Sequence, residues 1–243
     1  MKKYDLCVIG SGFAGTAAAI AAARHGARVV LLQDRPVLGG NGSSGIGITF
    51  DGAGVRHPFS RESGIAEEIR RLRDQDPSFA GDWTRAMEKL AAAEKNLTVI
   101  CDTHVCGVDM ADGETIQGVQ TMNILTLCKQ RFSGKIFIDC TGDGWVGYFA
   151  GAKCRFGREA TAQHNEEGAP SIADTLTMSG CIKGDTKKFF ETVDYPVEYH
   201  APVWVPKLPE SDAEFGRAIN RKGGNMYWWL EAPNVYDDMW DGE

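Results

Sequence analysis

The stretch that decides the fold is "YDLCVIGSGFAGTAAAIAAARHGARVVLLQ", residues 4–33. Residues 4–9 alternate and then run apolar, which predicts a buried parallel strand. Residues 14–25 are almost entirely alanine and predict a helix that ends at Gly26. Residues 27–33 predict a second strand. Two strands joined by a helix through short connections predict a right-handed βαβ unit in a parallel sheet.

Three glycines between the first strand and the helix follow the spacing GxGxxG, at Gly10, Gly12 and Gly15. Gly10 permits a tight turn, Gly12 lets the backbone approach a pyrophosphate, and Gly15 allows helix and strand to pack closely. Ala19 and Gly26 extend the pattern along the helix. Phosphates would then lie at the positive end of that helix. In this context the motif predicts a dinucleotide-binding site.

Gln33 ends the second strand, where a dinucleotide site usually carries an acidic residue. Its amide carbonyl can accept one ribose hydroxyl, without charge assistance. In one interpretation Arg35 pairs with a 2′-phosphate and the ligand is NADP. In the other, Gln33 is a neutral acceptor in a flavin site, with Asp34 beside it and Arg35 near the pyrophosphate. The motif by itself leaves both interpretations open.

Two further segments bear on the cofactor. "RPVLGGN" (35–41) places two glycines and an asparagine just past the second strand, where an extended cofactor would pass. "IFIDCTGDG" (136–144) is an apolar strand that ends in a second glycine turn, and such turns lie at the crevice where α/β sheets bind ligands. Asp143 could hold a ribose or ribitol hydroxyl there, or it could cap the helix that follows.

Together these segments resemble the FAD-dependent oxidoreductases of the glutathione-reductase-like superfamily. The resemblance covers most of residues 4–160 and favours FAD over NADP. It implies that Gly10, Gly12 and Gly15 hold the FAD pyrophosphate and that Gln33 meets the adenosine ribose. The other cofactor-binding residues that it implies are Phe13, Ala14, Asp34, Arg35, Gly39, Gly40, Asn41, Val105, Thr141, Gly142 and Asp143.

The pattern downstream of the βαβ unit predicts the remaining elements. Residues 63–75 and 84–96 predict two helices, the first amphipathic. Residues 97–110 and 115–132 contain strand-like segments separated by turn signals, which predict a small antiparallel meander. The chain then returns to the parallel sheet through residues 135–140.

The predicted fold is therefore α/β: a Rossmann-like FAD-binding domain with a parallel sheet and an antiparallel meander, then the start of a mixed α+β substrate domain. We place the FAD-binding domain at 1–160, with an inserted loop and helix segment at about 51–83, and the partial substrate domain at 161–243. The family's further glycine-rich segment, which holds ribitol and flavin, is not recognisable after residue 160. This departure predicts an N-terminal portion with an incomplete flavin site.

Candidates for the chemistry are few. His57 could act as a base and Arg61 could clamp a carboxylate substrate, although a solvated loop and helix start is the commoner explanation for such residues. His104 is expected to be structural. No zinc-ligand spacing and no carboxylate pair stands out, so we predict no metal.

Bulk composition limits the partners. The formal charge of −7 argues against general nucleic-acid binding, which needs a basic face. No apolar run reaches the roughly 18 residues of a membrane helix. Seven cysteines without CxxC spacing, and no recognisable signal peptide, favour a cytoplasmic protein.

The function predicted from the sequence is hydride transfer between a flavin and a small organic substrate, hydroxylated or carbohydrate-like by analogy. The electron acceptor is unknown, and a homo-oligomer is left open. Two alternatives are kept: a truncated, non-catalytic flavin-binding segment that needs a missing C-terminal part, and an NADP-binding oxidoreductase.

Overall fold

The structure is a computed structural model of the 243-residue chain. It describes residues 3–48, 63–79, 81–155 and 157–174, and the backbone of strands at 177–185, 219–222 and 225–234. The chain divides into two compact units, Met1–Cys154 and Arg155–Glu243.

The first unit alternates strands and helices. Its elements are β1 (Leu6–Ile9), α1 (Phe13–Arg24), β2 (Val29–Leu32), α2 (Ile65–Gln75), α3 (Trp83–Ala93), β3 (Leu97–Ile100), β4 (Thr103–Met110), β5 (Ile116–Asn123), β6 (Lys129–Ser133), β7 (Ile136–Asp139) and α4 (Trp145–Phe149). Four of the strands form a parallel sheet in the order β3-β2-β1-β7. The predicted fold class is confirmed for this unit by that sheet and by the meander beside it.

Alternation along the central strands divides the core between the two faces of the parallel sheet. Leu6 and Val8 of β1 pack in one cluster, with residues of α1, α2 and α3. Cys7 and Ile9 of the same strand pack in the other, with residues of the meander and α4. Because successive side chains of a strand point to opposite faces, β1 and β2 are buried on both sides.

Helix α3 begins at a side-chain cap. The Asp82 carboxylate accepts hydrogen bonds from the backbone N–H groups of Thr84, at 2.8 Å, and Arg85, at 3.3 Å. These bonds satisfy donors that the first helical turn leaves unpaired. The helix therefore starts at Trp83, one residue before the predicted start.

The meander is formed by β4, β5 and β6, which pair antiparallel in that order. The segment 97–110 that the sequence analysis placed in the meander is in fact two strands of different sheets. Asp102, with a φ of 51°, separates β3 of the parallel sheet from β4 of the meander. A turn with Leu127 at a φ of 60° likewise divides the predicted segment 115–132 into β5 and β6.

The second unit contains the short helix α5 (Thr161–His164) and an antiparallel sheet. That sheet has the order β8-β10-β9, formed by β8 (Thr177–Asp185), β9 (Ile219–Lys222) and β10 (Asn225–Asn234). The predicted mixed α+β composition agrees with these elements, while the role of a substrate domain stays a prediction. Among the residues that the structure describes, none of the helices combines the length and apolar character needed to cross a bilayer.

Candidate cofactor-binding site

A cleft of about 380 Å³ lies at the carboxyl ends of the parallel strands in the first unit. This is the edge of an α/β sheet where ligands bind, because the strand-to-helix connections leave a crevice there. The cleft is lined by Ile9, Gly10, Ser11, Gly12, Phe13, Ala14, Leu32, Gln33, Asp34, Arg35, Gly39, Gly40, Asn41, Gly42, Thr103, His104, Val105, Cys140, Thr141, Gly142, Asp143 and Trp145.

The first glycine turn, residues 10–15, is packed against protein backbone at two of its three glycines. A Cβ atom on Gly10 would lie 2.2 Å from the carbonyl oxygen of Cys140, and Gly10 has a φ of +92°. A Cβ atom on Gly15 would lie 1.8 Å from the carbonyl oxygen of Gly10. Real Cβ atoms do not come this close to backbone, so both positions require glycine for the turn to form.

Gly12, in the middle of the same turn, differs from its two neighbours. A Cβ atom placed there would have no protein atom within 4 Å, and the backbone φ of −57° is one that any residue adopts. Gly12 is also the residue before α1, whose first turn carries no acidic side chain. The open space therefore lies at the positive end of a twelve-residue helix, where an anion is stabilised.

A second glycine-rich segment, residues 39–42, packs directly on the first turn. The Gly39 N–H donates to the carbonyl oxygen of Ser11 at 2.8 Å, and Gly12 and Gly39 form a parallel β-bridge. The guanidinium of Arg35 donates to the carbonyl oxygen of Gly40 at 3.3 Å, which holds its charge over this rim. The two glycine segments thus form one continuous backbone edge to the cleft.

Residues of the helical layer hold residues 39–42 in place. A Cβ atom on Gly42 would lie 2.1 Å from Cε2 of the Phe13 ring, which in turn packs edge-on against Trp83 at 5.4 Å between centroids. The Thr84 hydroxyl donates to the carbonyl oxygen of Leu38 at 3.2 Å. Packing against α3 therefore fixes the shape of this rim.

Gln33 lies at the end of β2, in contact with the first turn. Its side-chain oxygen Oε1 accepts a hydrogen bond from the backbone N–H of Ser11 at 2.9 Å, and the residue is only 3% exposed. The Ser11 hydroxyl oxygen is buried and has no hydrogen-bond partner among the described residues. At the end of the cleft where the sequence analysis places the adenosine, Gln33 is therefore fixed to the first turn through its side-chain oxygen.

The second glycine turn, residues 141–144, is held by one carboxylate. Asp139 Oδ1 accepts from the backbone N–H and the hydroxyl of Thr141, at 3.1 and 2.7 Å. Asp139 Oδ2 accepts from the N–H groups of Val146 and Gly147, at 2.8 and 3.0 Å. The carboxylate therefore joins the turn to the start of α4. Asp143 does not cap that helix, because its N-cap is Gly144, and Asp143 is exposed in the cleft wall.

An aromatic group follows this turn. The Trp145 ring lines the cleft and stacks on Phe149 at 5.8 Å between centroids, with Tyr148 edge-on at 6.2 Å.

Cys140 also lines the cleft. Burial raises the pKa of its thiol, and the neighbouring Asp139 carboxylate adds to the effect. Cys140 is therefore protonated near neutral pH, which makes it a poor nucleophile.

All of the predicted cofactor-binding residues except Gly15 line this cleft, and Gly15 lies behind it in contact with Gly10. Their role as cofactor contacts stays a prediction. The candidate catalytic residues His57 and Arg61 lie outside the described residues. The described part of the chain contains no group of three His, Cys, Asp or Glu side chains that could hold a metal ion.

Sequence reasoning missed several residues of the site, and only some of them carried a signal. Asp139 ends an apolar strand just before a Thr-Gly turn, which is a pattern that could have indicated its bonding role. Trp145 directly follows the second turn and could have been noted for that reason. His104, which was expected to be structural, lines the cleft beside Thr103. Ser11 shows no signal beyond its place in the motif.

The residues present fit FAD, the cofactor implied by the resemblance. A pyrophosphate needs close backbone approach and positive charge. Gly12 supplies an open cradle that a Cβ atom would fill, α1 supplies its N-terminus, and Arg35 supplies a cation on the same rim.

Comparison with known proteins found similar sequences and structures. A 39-residue segment is 51% identical to the soluble pyridine nucleotide transhydrogenase of Hahella chejuensis, covering 16% of this chain and 8% of that protein. The chain is 26% identical over 156 residues to the digeranylgeranylglycerophospholipid reductase of Sulfolobus acidocaldarius, covering 58% of this chain and 34% of that protein. This chain therefore matches only about a third of the length of that reductase.

Similar solved structures include THI4 of Thermovibrio ammonificans, with a TM-score of 0.43 and 18% identity, covering 70% of this chain and 76% of that one. The family model described as FAD dependent oxidoreductase matches residues 5–237, which is nearly the whole chain. The chain therefore belongs to the FAD-dependent oxidoreductases, and FAD is its cofactor.

Proposed function

We propose that this chain binds FAD in the cleft at the carboxyl ends of its parallel strands and takes part in hydride transfer between a small organic substrate and the flavin. The observation that carries the proposal is the cradle at Gly12, which is open to the cleft while Gly10 and Gly15 are closed off by backbone. When bound, a flavin supplies the acceptor for the hydride. A hydroxylated or carbohydrate-like substrate is proposed from the family resemblance alone.

In this proposal, different residues of the cleft bind different parts of the cofactor. Backbone N–H groups at the start of α1 and the Arg35 guanidinium would stabilise the negative charge of the pyrophosphate, because both can donate hydrogen bonds to it. Gln33 lies where the adenosine ribose is expected, and Val105, which is buried, closes the cleft at the meander. Thr141 to Asp143 also line the cleft.

Candidate residues for the chemistry come from the sequence. We propose His57 as a base that takes a proton from the substrate, and Arg61 as a clamp for a substrate carboxylate. His57→Asn should then lower kcat with little change in KM, and Arg61→Met should raise KM for a carboxylate substrate. Unchanged kinetic constants in both variants would contradict this assignment.

A binding experiment tests the cofactor assignment. The purified chain should show the flavin absorption band, or should regain it after refolding with FAD, and titration should saturate near one FAD per chain. FMN, which lacks the adenosine and the pyrophosphate, should bind far more weakly. Protein that folds but binds FAD no better than FMN would contradict the proposed site.

A second candidate function is a flavin-binding segment that does not turn over substrate without further protein. The observation in its favour is that the chain matches about a third of the reductase to which it is similar. Reduction of an artificial dye by the FAD-loaded chain, with a panel of small alcohols and sugars, separates the candidates. Steady turnover excludes the non-catalytic segment, whereas FAD retention without dye reduction excludes catalysis by this chain alone.

NADP was the alternative cofactor. Titration with NADPH, followed by its fluorescence, tests that alternative directly. NADPH binding that competes with FAD at equal concentration would favour it, whereas the family match favours FAD.

A further inference from the structure

We infer that Gln33 donates a hydrogen bond to the adenosine ribose of the bound cofactor, whereas an acidic residue at this position would accept one. The ribose oxygen that faces Gln33 then only has to accept a hydrogen bond. A ribose in which this oxygen carries a methyl group instead of a hydrogen is still bound. The inference rests on the proposed FAD site and concerns how its adenosine end selects a ligand.

The orientation of the Gln33 amide follows from its partner. The backbone N–H of Ser11 approaches the amide at 2.9 Å. A backbone N–H can only donate, so the amide atom that faces it must be the carbonyl oxygen. The flipped amide would set two donors against each other inside the protein, since Gln33 is only 3% exposed. The NH₂ group of Gln33 is therefore directed away from Ser11.

That NH₂ group has no acceptor among the described residues. Ser11 Oγ is the one side-chain N or O atom in the described part of the chain that is fully buried and unpartnered. The side-chain nitrogen of Gln33 is therefore not fully buried, and Gln33 lines the cleft. A group that binds here has to accept a hydrogen bond from Gln33 if the donor is to be satisfied.

A glutamate in the same place would behave in the opposite way. One of its oxygens would accept from the Ser11 N–H, and the other could only accept from the ligand. A ribose hydroxyl can meet either residue, because it can turn to donate or to accept. A methyl ether at the same carbon can accept but cannot donate. Gln33 therefore tolerates an ether that a glutamate would reject.

The charged residues next to Gln33 are compatible with its role as a hydrogen-bond donor to the ribose. Asp34 is exposed and lines the same cleft, so its carboxylate can accept from the ribose hydroxyl that does not face Gln33. Arg35 is engaged with the Gly40 carbonyl oxygen and keeps further N–H donors for phosphate.

The test compares ADP with 2′-O-methyl-ADP and 3′-O-methyl-ADP by calorimetry, in the wild-type chain and in Gln33→Glu. Wild type should bind at least one of the ethers within about 3-fold of ADP. Gln33→Glu should keep ADP binding and lose about 10-fold or more for the same ether, because a charge-assisted hydrogen bond is lost. Gln117→Glu is the matched control, since Gln117 is exposed on β5 away from the cleft, and it should follow wild type.

Two results would overturn the inference: wild type binding both ethers more than about 3-fold more weakly than ADP, or equal discrimination in wild type and Gln33→Glu. If Gln33→Glu does not fold, Gln33→Met replaces it. The methionine side chain has no N–H or O–H donor and only a weakly accepting thioether, so ADP and the tolerated ether should weaken equally.

FAD titration of the same preparation separates the two proposals. Protein that binds FAD but rejects both ethers overturns only this inference. Folded protein that binds neither FAD nor ADP overturns the proposed function.

Discussion

The two glycine turns at the carboxyl ends of β1 and β7 lie side by side in the cleft but are built differently. The first turn is held by backbone contacts, with no room for a Cβ atom at Gly10 or Gly15. In the second turn, Cβ atoms on Gly142 and Gly144 would meet nothing within 4 Å, and the carboxylate of Asp139 holds the turn. The first turn therefore depends on close packing that leaves no room for a side chain. The second depends on the Asp139 carboxylate and on the positive φ values of Gly142 and Gly144, +85° and +73°.

The two constructions respond differently to mutation. Backbone packing at Gly10 and Gly15 cannot relax locally, because the contacting atoms belong to backbone that is anchored at the ends of β1 and β7 and in α1. Removing a carboxylate from an exposed turn affects only the turn, because water can accept hydrogen bonds from the N–H and O–H groups that the carboxylate bonded. The comparison predicts that changes at the first turn affect folding, except at Gly12, and that changes at the second turn affect local order.

Gly15→Ala should have the largest effect. The added methyl would lie 1.8 Å from the Gly10 carbonyl oxygen, so α1 has to move away from β1. We expect a loss of about 3 kcal/mol or more in the free energy of unfolding, measured by urea denaturation. A variant within about 1 kcal/mol of wild type would show that the first turn can relax.

Gly12→Ala is the matched substitution within the same turn and should separate binding from folding. Its methyl meets no protein atom, and the backbone there suits alanine, so unfolding should change by less than about 1 kcal/mol. The methyl occupies the space proposed for the pyrophosphate, so FAD affinity should fall by about 10- to 100-fold, or about 1.4 to 2.7 kcal/mol. Fluorescence titration with FAD measures this, and unchanged affinity would remove the pyrophosphate from this position.

Asp139→Asn tests the second turn. An amide has one acceptor oxygen, so whichever way it lies, one pair of N–H or O–H donors now faces an NH₂ group. We expect the free energy of local opening to fall by about 1–2 kcal/mol, the lower part of the range for charged hydrogen bonds because Asp139 is exposed. Hydrogen exchange at the Val146 and Gly147 amides should accelerate, while the global unfolding midpoint changes less. Equal protection of these amides in variant and wild type would contradict the assignment.

The smallest effect concerns Cys7, on the strand that leads into the first turn. Burial raises the pKa of its thiol from 9.0 to about 12. Between these values the unfolded chain has released the proton and the folded chain has not, so the folded state is progressively disfavoured as pH rises above 9. The contribution lost is about 0.8 kcal/mol at pH 9.5.

Urea denaturation from pH 8 to 10 measures the effect of Cys7. Cys7→Ala, which has no thiol, is the control and should show a shallower decline in stability than wild type. Identical slopes would show that the thiol is not held neutral. Cys7 is fully buried on β1, the strand that leads into the first turn, so its titration reports on global unfolding. Asp139 is exposed, and its substitution reports on local opening of the second turn.

Much of the fold could be predicted because its signals are local. The apolar strand of residues 6–9, the alanine-rich helix and the glycine spacing each follow from neighbours along the chain. The segment 97–110 was misassigned because its strand pattern continues through Asp102. The two halves join different sheets because β3 pairs with β2, which is distant in sequence, whereas β4 pairs with β5, the next strand along the chain.

The sequence by itself determined the βαβ unit and the position of a cleft at the carboxyl ends of its strands, because a glycine motif and two strand-ending segments are readable without knowing what they touch. Only the tertiary structure decided which glycine faces the cleft, which carboxylate holds the second turn and which way the Gln33 amide points. The Asp139 bonds run to the Val146 and Gly147 amides at the start of α4. The other two features depend on an atom from the end of a neighbouring strand: the Cys140 carbonyl oxygen after β7 for Gly10, and the Ser11 N–H after β1 for Gln33. Spacing along one chain cannot specify such contacts, since they arise only when the strands lie side by side.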